Sequence, residues 1–132
     1  MWFRSSPDVW LLRTLPEMAR SAGPFSAWRD ARNGLIAISG QIGLRDGQLV
    51  RGGFEPELIQ TLANLKAVLE DAGLTPANVV KVNVFLAEIA DWPALNRPYA
   101  EFFGEELPAR TALAVAALPF GARVELEAWA AR

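Results

Sequence analysis

Residues 52–74, GGFEPELIQTLANLKAVLEDAGL, decide the fold. Glu55-Pro56-Glu57 places a proline in a first helical turn and two carboxylates at the positive end of the helix dipole. Gly73 is suited to stop the helix, because glycine readily adopts the conformation that follows a helix C-terminus. The apolar residues between these signals recur on one stripe at Leu58, Leu62, Leu65, Leu69 and Ala72. The segment therefore predicts an amphipathic helix with one face against a core.

The sequence before this helix alternates strand and turn signals. Residues 25–30 and 35–42 are predicted strands, and the Asn33-Gly34 pair between them favours a tight hairpin. A further turn leads to a short strand over residues 48–50. Residues 1–22 show no clear period, so we treat them as an N-terminal extension and residues 23–132 as a single domain.

The sequence after the helix begins with VVKVNVFL at residues 79–86, in which polar and apolar side chains alternate. This alternation predicts a strand with Val80, Val82, Val84 and Leu86 on a core face. Asp91 can cap a second helix that extends to Phe103. Pro98 lies inside that helix and should kink or split it near Asn96, because proline lacks an amide hydrogen.

The last third of the chain contains two predicted strands, residues 110–117 and 122–131. If they form an antiparallel hairpin, Leu113 faces Leu126 and the aliphatic residues gather on one face. The opposite face then carries Arg110, Ala112 and Ala114 beside Arg123, Glu125, Glu127 and Trp129.

The two helices can cover only one face of a sheet with about six strands, so the other face would be wet in a monomer. We therefore predict that other copies of the chain bury it, and a monomer seen by light scattering at micromolar concentration would contradict this. On that face the hairpin register separates Arg110 from Glu125 by about 13 Å, at about 3.3 Å per residue. A small ligand could lie between them; alternatively, both are surface or intersubunit ion-pair residues.

Composition restricts the chemistry. The 132 residues include no cysteine and no histidine, which excludes disulfides, thiol nucleophiles, thiolate zinc sites and imidazole bases. Catalysis would have to use carboxylates, arginine, hydroxyls, amides or the backbone. The 13 basic and 15 acidic residues nearly balance, and the arginines are spread along the chain without a basic stripe. No signal peptide or membrane-spanning stretch is evident, and we expect a soluble, cytoplasmic protein.

The sequence resembles the Rid (reactive intermediate deaminase, YjgF) family over about residues 23–130. The segments that carry the resemblance occur in the family's order and spacing: AISGQIGL, the helix of residues 52–74, VVKVNVFLAEIADWPALNRPYAEFF, PARTALAVAALP and VELEAWA. The resemblance implies an α+β, chorismate-mutase-like fold, with a mixed six-stranded sheet, two helices on one face and a homotrimer whose three ligand sites lie between subunits. It also implies hydrolysis of enamine and imine acids such as 2-aminoacrylate and 2-iminobutyrate to 2-keto acids and ammonia, without a cofactor or a metal.

The resemblance also assigns candidate site residues. Arg110 matches the family's carboxylate-binding arginine, whose planar fork suits bidentate recognition. Glu125 matches the carboxylate that holds and activates the attacking water, with a structural ion pair as the alternative. Gly40 matches a backbone contact to the ligand, and Asn96 an asparagine that lines the cleft; the alternatives are a tight bend and a helix-surface residue. Ala112 replaces a frequent cysteine that contributes largely through its backbone, or else is a packing residue.

Departures from the family pattern leave other functions open. Phe25 stands in Gly-Pro-Phe where the family has Gly-Pro-Tyr, so it supplies a ring that can close the pocket but no hydroxyl. Pro98 and the N-terminal extension could reshape the mouth of the cleft. One alternative function is a non-catalytic module that binds a keto acid or another metabolite in the same cleft. Cleavage of single-stranded RNA is a less attractive alternative, because the arginines are scattered.

Overall fold

The computed structural model describes residues 23–132, and the predicted N-terminal extension lies outside them. The described residues form strands β1 to β7 and two helices of three or more turns, α1 and α2. In chain order the elements are β1 (Trp28–Asp30), β2 (Leu35–Gln41), β3 (Leu44–Arg45), β4 (Gln48–Leu49), α1 (Phe54–Asp71), β5 (Val79–Leu86), α2 (Trp92–Phe103), β6 (Ala109–Ala114) and β7 (Val124–Ala131).

The main sheet has five strands in the order β1-β2-β7-β5-β6, and β3 pairs with β4 in a separate two-stranded ribbon. Neighbouring strands of the main sheet run antiparallel, except β5 and β6, which run parallel. The predicted mixed sheet with two helices is confirmed, and both helices contribute to one core cluster on one side of the sheet.

The predicted hairpin and first helix are confirmed. Strands β1 and β2 pair antiparallel across the Asn33-Gly34 turn. Helix α1 ends at Asp71, and Gly73 follows it with a φ of 76°. Its apolar stripe is buried in the core, as the spacing predicts.

Between residues 23 and 132, neither helix is both long and apolar enough to cross a bilayer.

Side chains of strand β5 alternate between the two faces of the sheet. We call the helix-covered face the core face and the other face the open face. Val82, Val84 and Leu86 are fully buried on the core face. Val80, predicted to share that face, is instead exposed, because the register against β7 shifts between Val79 and Lys81. Large apolar side chains lie exposed on the open face, among them Leu113 of the edge strand β6 and Trp129 of the central strand β7.

The predicted hairpin of β6 and β7 is wrong. Strand β6 pairs in parallel with β5, so that Val82 aligns with Arg110 and Val84 with Ala112. Strand β7 pairs with the other side of β5. The cause is the path of the chain, because α2 carries it from β5 to β6 as a crossover between parallel strands. Arg110, Ala112 and Ala114 therefore share the helix-covered face, and Leu113 lies on the open face.

Helix α2 also differs from expectation. It continues through Pro98, so the predicted split is wrong. One proline removes only one backbone donor, and buried Leu95 and Tyr99 hold the helix on both sides of it. Asp91 precedes α2 without capping it through its side chain. Its carboxylate instead pairs with Arg123, with 2.7 Å between Oδ1 and Nη2.

Candidate active site

Arg110 lies near the start of the edge strand β6, and its side chain reaches helix α2. Its Nη2 donates a hydrogen bond to Oδ1 of Asn96 at 3.0 Å. Its guanidinium carbon lies 4.9 Å from the centre of the Tyr99 ring, within the range of cation–π attraction. Within residues 23–132, no carboxylate forms an ion pair with Arg110, whereas Arg97 and two other arginines have acidic partners. In this part of the chain, the groups that contact the guanidinium of Arg110 are the neutral side chains of Asn96 and Tyr99. The guanidinium can therefore bind an anion.

Tyr99 lies in the core beneath this arginine. Its side chain is 4% exposed, and its hydroxyl has no hydrogen-bond partner in the described part of the chain. Burial raises the pKa of Tyr99 to about 12, because desolvation disfavours the phenolate more than the nearby charge of Arg110 favours it. The ring therefore remains neutral beneath the cation. We call Arg110, Asn96 and Tyr99 the arginine group.

Glu125 lies on the open face near the start of β7, opposite Phe85 of β5. Desolvation by burial raises the pKa of Glu125, and the nearby charge of Glu127 raises it further. Glu127 is itself engaged, since its Oε2 accepts a hydrogen bond from Nδ2 of Asn83 at 3.0 Å. A carboxyl group with a raised pKa is suited to accept and return a proton, because its pKa lies closer to neutral pH.

Gly40 adjoins this carboxylate. It lies at the irregular end of β2, where the register against β7 shifts between Ile38 and Gln41. A Cβ atom at position 40 would collide with the carboxylate of Glu125, 2.9 Å from its Cδ. A glycine is thus required if the Glu125 side chain is to keep this position. We call Glu125 and Gly40 the glutamate group.

The two groups lie on opposite faces of the sheet in one chain. Arg110 aligns with Val82, whose side chain is in the core, whereas Glu125 aligns with Phe85 on the open face. The prediction that Arg110 and Glu125 share a face is wrong, because it depended on the β6–β7 hairpin. One small ligand therefore does not reach both side chains within a single subunit.

The remaining predicted site residues each lie beside one group. Ala112 follows the arginine by two residues on the same face of β6 and packs against the core. Phe25 is exposed and immediately precedes Ser26, whose carbonyl accepts a hydrogen bond from the Ser39 hydroxyl at 2.6 Å. Ser39 precedes Gly40, so the segment that carries Phe25 is hydrogen-bonded to the strand that carries Gly40. Residues 23–132 hold no cluster of three or more acidic side chains placed to bind a metal ion.

Sequence reasoning missed two polar contacts of the site. Tyr99 follows Asn96 by three residues, and this spacing places both on one helical face, where they can share a partner. Asn83 lies on the open face of β5 with Lys81 and Phe85. Alternation along the strand predicts this face, but the position of Asn83 opposite Glu127 follows only from the β5–β7 pairing. The first signal was present in the sequence, whereas the second required the structure.

Comparison with known proteins assigns the family. The family model described as Endoribonuclease L-PSP matches residues 17–132. A human protein named 2-iminobutanoate/2-iminopropanoate deaminase is 42% identical over 122 residues, which cover 89% of each chain. A solved structure from Yersinia pestis, described as a protein of unknown function of the conserved Rid protein family, is 36% identical with a TM-score of 0.83, covering 91% of this chain and 94% of its own. The chain belongs to the Rid family.

A further solved structure is similar to this Rid chain. It is described as a putative endoribonuclease L-PSP from Entamoeba histolytica and is 41% identical with a TM-score of 0.82. The match covers 90% of this chain and 94% of that structure. The resemblance drawn from the motifs is thereby confirmed. The arginine group of this Rid chain comes from the α2 and β6 motifs, and the glutamate group comes from the β2 and β7 motifs.

Proposed function

We propose that this Rid protein hydrolyses reactive 2-imino and 2-enamino acids to 2-keto acids and ammonia. The observation that carries the proposal is the side chain of Arg110, a partly buried residue whose guanidinium contacts only neutral partners within residues 23–132. Such an arginine can bind a small carboxylate with two parallel hydrogen bonds. The name of the human relative, 2-iminobutanoate/2-iminopropanoate deaminase, describes substrates that are small acids with a C=N bond.

The proposed reaction adds water across that bond. Arg110 binds the substrate carboxylate, and an enamine first tautomerises to the imine. Glu125 accepts a proton from water while the water oxygen attacks the C=N carbon, and it then passes that proton to the nitrogen to give a neutral carbinolamine. Glu125 next takes the hydroxyl proton of the carbinolamine as the C=O bond forms and the C–N bond breaks, and it delivers that proton to the departing nitrogen, which leaves as ammonia. One imine and one water thus give one keto acid and one ammonia.

We further propose that each site forms between two subunits of a homotrimer. The arginine group of one subunit and the glutamate group of its neighbour would meet, since the two groups lie on opposite faces within one chain. Strand β6 is an edge strand, so Arg110 lies near the boundary of its own subunit. The open face exposes 41% of Leu113 and 40% of Trp129, which a neighbouring subunit would cover.

The other residues would complete the same cleft. Gly40 allows the ligand to approach the backbone beside Glu125. Asn96 lines the cleft and orients the arginine, and Ala112 contributes its backbone. Phe25 closes the pocket with its ring.

An imine-decay assay tests the proposed function. A serine or threonine dehydratase would generate the imine, and its loss would be followed with and without this protein. We expect the Arg110→Ala variant to lower kcat/KM about a hundredfold, because it removes two charge-assisted hydrogen bonds. Arg97→Ala is the matched control, since Arg97 is an exposed arginine of α2 that pairs with Glu101. A wild-type protein that does not accelerate imine decay would refute the proposal.

Binding without turnover is a distinct outcome of the same experiments. Calorimetry with 2-ketobutyrate measures occupation of the cleft independently of catalysis. If the wild-type protein binds the keto acid through Arg110 but leaves the imine untouched, the chain is a metabolite-binding module. Phe25 is the feature that favours this second function, because it replaces the tyrosine of the family pattern and so lacks a hydroxyl that could hydrogen-bond to substrate or water.

A cytoplasmic location remains a prediction from the sequence. Fluorescence microscopy of the full chain carrying a C-terminal tag would test it.

A further inference from the structure

The guanidinium of Arg110 lies over the ring of Tyr99, beside the predicted ligand position. The guanidinium carbon lies 4.9 Å from the ring centre, and Tyr99 belongs to the buried core. Phe103 supports Tyr99 in turn, with 4.8 Å between the two ring centres and an angle of 52° between the ring planes. The guanidinium therefore lies against a fixed surface that helix α2 and the core hold in place.

The two contacts of Arg110 fix different degrees of freedom. The hydrogen bond to Asn96 holds one nitrogen, Nη2, at one edge of the guanidinium. A single hydrogen bond permits the planar group to rotate about that contact, whereas contact with the face of a buried ring restricts this rotation. A fixed plane matters for bidentate binding, because both oxygens of a carboxylate must lie in the plane of the guanidinium.

We propose that Tyr99 is a positioning residue that orients Arg110 for carboxylate binding through the face of its ring and not through its hydroxyl. This inference rests on the proposed function, in which Arg110 binds the substrate carboxylate. Tyr99 acts through the arginine and does not itself touch the substrate. The hydroxyl is buried and has no partner within residues 23–132, so it contributes no hydrogen bond to the arrangement.

Three variants separate the ring from the hydroxyl and from simple core packing. Tyr99→Phe keeps the ring and removes the hydroxyl, whereas Tyr99→Leu removes the aromatic surface and keeps an apolar side chain. Phe103→Leu is the matched control, because Phe103 is a buried aromatic residue of the same helix that packs on Tyr99, and the ring over which Arg110 lies is that of Tyr99.

The steady-state parameters for imine hydrolysis distinguish these roles. We expect Tyr99→Leu to raise KM about tenfold with little change in kcat, because the loss of a cation–π contact weakens the orientation of Arg110. Tyr99→Phe should restore the KM of the wild-type protein. Phe103→Leu should lower thermal stability without raising KM. A raised KM in Tyr99→Phe, or an equal rise in Tyr99→Leu and Phe103→Leu, would overturn the proposal.

A second measurement does not depend on the enzyme activity. Nitrogen-15 relaxation of the Arg110 Nε–Hε group, assigned by its absence in Arg110→Lys, reports how rigidly the guanidinium is held. We expect a rigid group in the wild-type protein and in Tyr99→Phe, and a mobile one in Tyr99→Leu. A rigid group in all three would refute the positioning role even if the protein is a deaminase. If the wild-type protein is inactive but shows the expected relaxation pattern, the proposed function fails while the role of Tyr99 stands.

Discussion

Gly40 and Gly43 lack a side chain for different physical reasons, although both lie at the end of β2 or just beyond it. A Cβ atom at Gly40 would meet the Glu125 carboxylate, which is the far end of a flexible side chain. A Cβ atom at Gly43 would instead lie 2.7 Å from the backbone oxygen of Glu57, inside helix α1. A side chain can rotate away from a new methyl group at little cost, whereas a helix backbone cannot. Gly40 therefore serves the site and Gly43 serves the fold.

We predict that Gly40→Ala reduces activity at least tenfold with a stability change of about 1 kcal/mol or less, because the methyl group displaces the carboxylate of Glu125 without disturbing packing. Gly43→Ala should destabilise the protein by about 1–3 kcal/mol, the usual cost of forcing extra volume into a packed region. Chemical denaturation and the imine-decay assay on both variants measure the two effects. Equal losses of stability in the two variants would contradict the distinction.

The pH dependence of the reaction offers a second residue-scale prediction. Glu125 acts as a base only when it is deprotonated, so activity is lost as the pH falls through its pKa. Burial and the charge of Glu127 both raise the pKa of Glu125, which moves this loss to higher pH than for an ordinary glutamate. Glu127→Gln removes the second cause and should shift the acid limb of the kcat/KM profile to lower pH.

Glu101→Gln is the control for this shift. Glu101 is an exposed acid of α2 that pairs with Arg97, and its replacement should leave the profile unchanged. An acid limb that stays in place in Glu127→Gln would show that Glu127 does not act on the carboxylate of Glu125.

At the residue scale, the sequence singles out candidate side chains but does not predict where they point. The motifs singled out Arg110, Glu125 and Gly40, and the structure places Gly40 directly beside the glutamate. The contact of Arg110 with Asn96 was not predicted, because it joins β6 to α2 and depends on how the two elements pack in the folded chain. A pattern of residue types identifies chemistry, but the partner of a long side chain depends on packing between elements distant in sequence.

At the element scale, the local units were predictable and one pairing was not. Helix α1 and the β1–β2 hairpin depend on caps, turns and periodicity within a few residues, so they follow from the sequence. Strand β6 has the same alternation whether it pairs with β7 or with β5. Its aliphatic Leu113 suggested a core face, yet this side chain is exposed and Ala112 faces the core.

The physical reason for that error lies in the neighbours of β6. The Arg110 side chain of this edge strand reaches helix α2, and a small residue such as Ala112 on the same face leaves room for that extended side chain. Leu113 is available for contact with another subunit. Hydrophobicity marked Leu113 as buried, but a sequence alone does not say whether burial occurs within one chain or between chains.

At the scale of the whole molecule, the position of the two groups argues for an assembly. A single subunit provides Arg110, the proposed carboxylate-binding residue, on one face of its sheet and Glu125, the proposed base, on the other. The apolar residues of the open face provide the surface that would hold subunits together, and a charge introduced by Trp129→Glu should dissociate them. Assembly and catalysis are then coupled, because dissociation separates the two halves of every site.

Mixing two inactive variants tests this arrangement directly. Arg110→Ala subunits retain Glu125, and Glu125→Gln subunits retain Arg110, so each variant alone lacks one half of every site. In trimers formed by coexpression at equal amounts, a site receives the intact arginine in half of cases and the intact glutamate in half. We therefore expect about a quarter of the wild-type activity, if sites lie between subunits and assembly is random. Sedimentation equilibrium would establish that the mixture is trimeric, and a trimeric mixture as inactive as its components would show that each site is built within one chain.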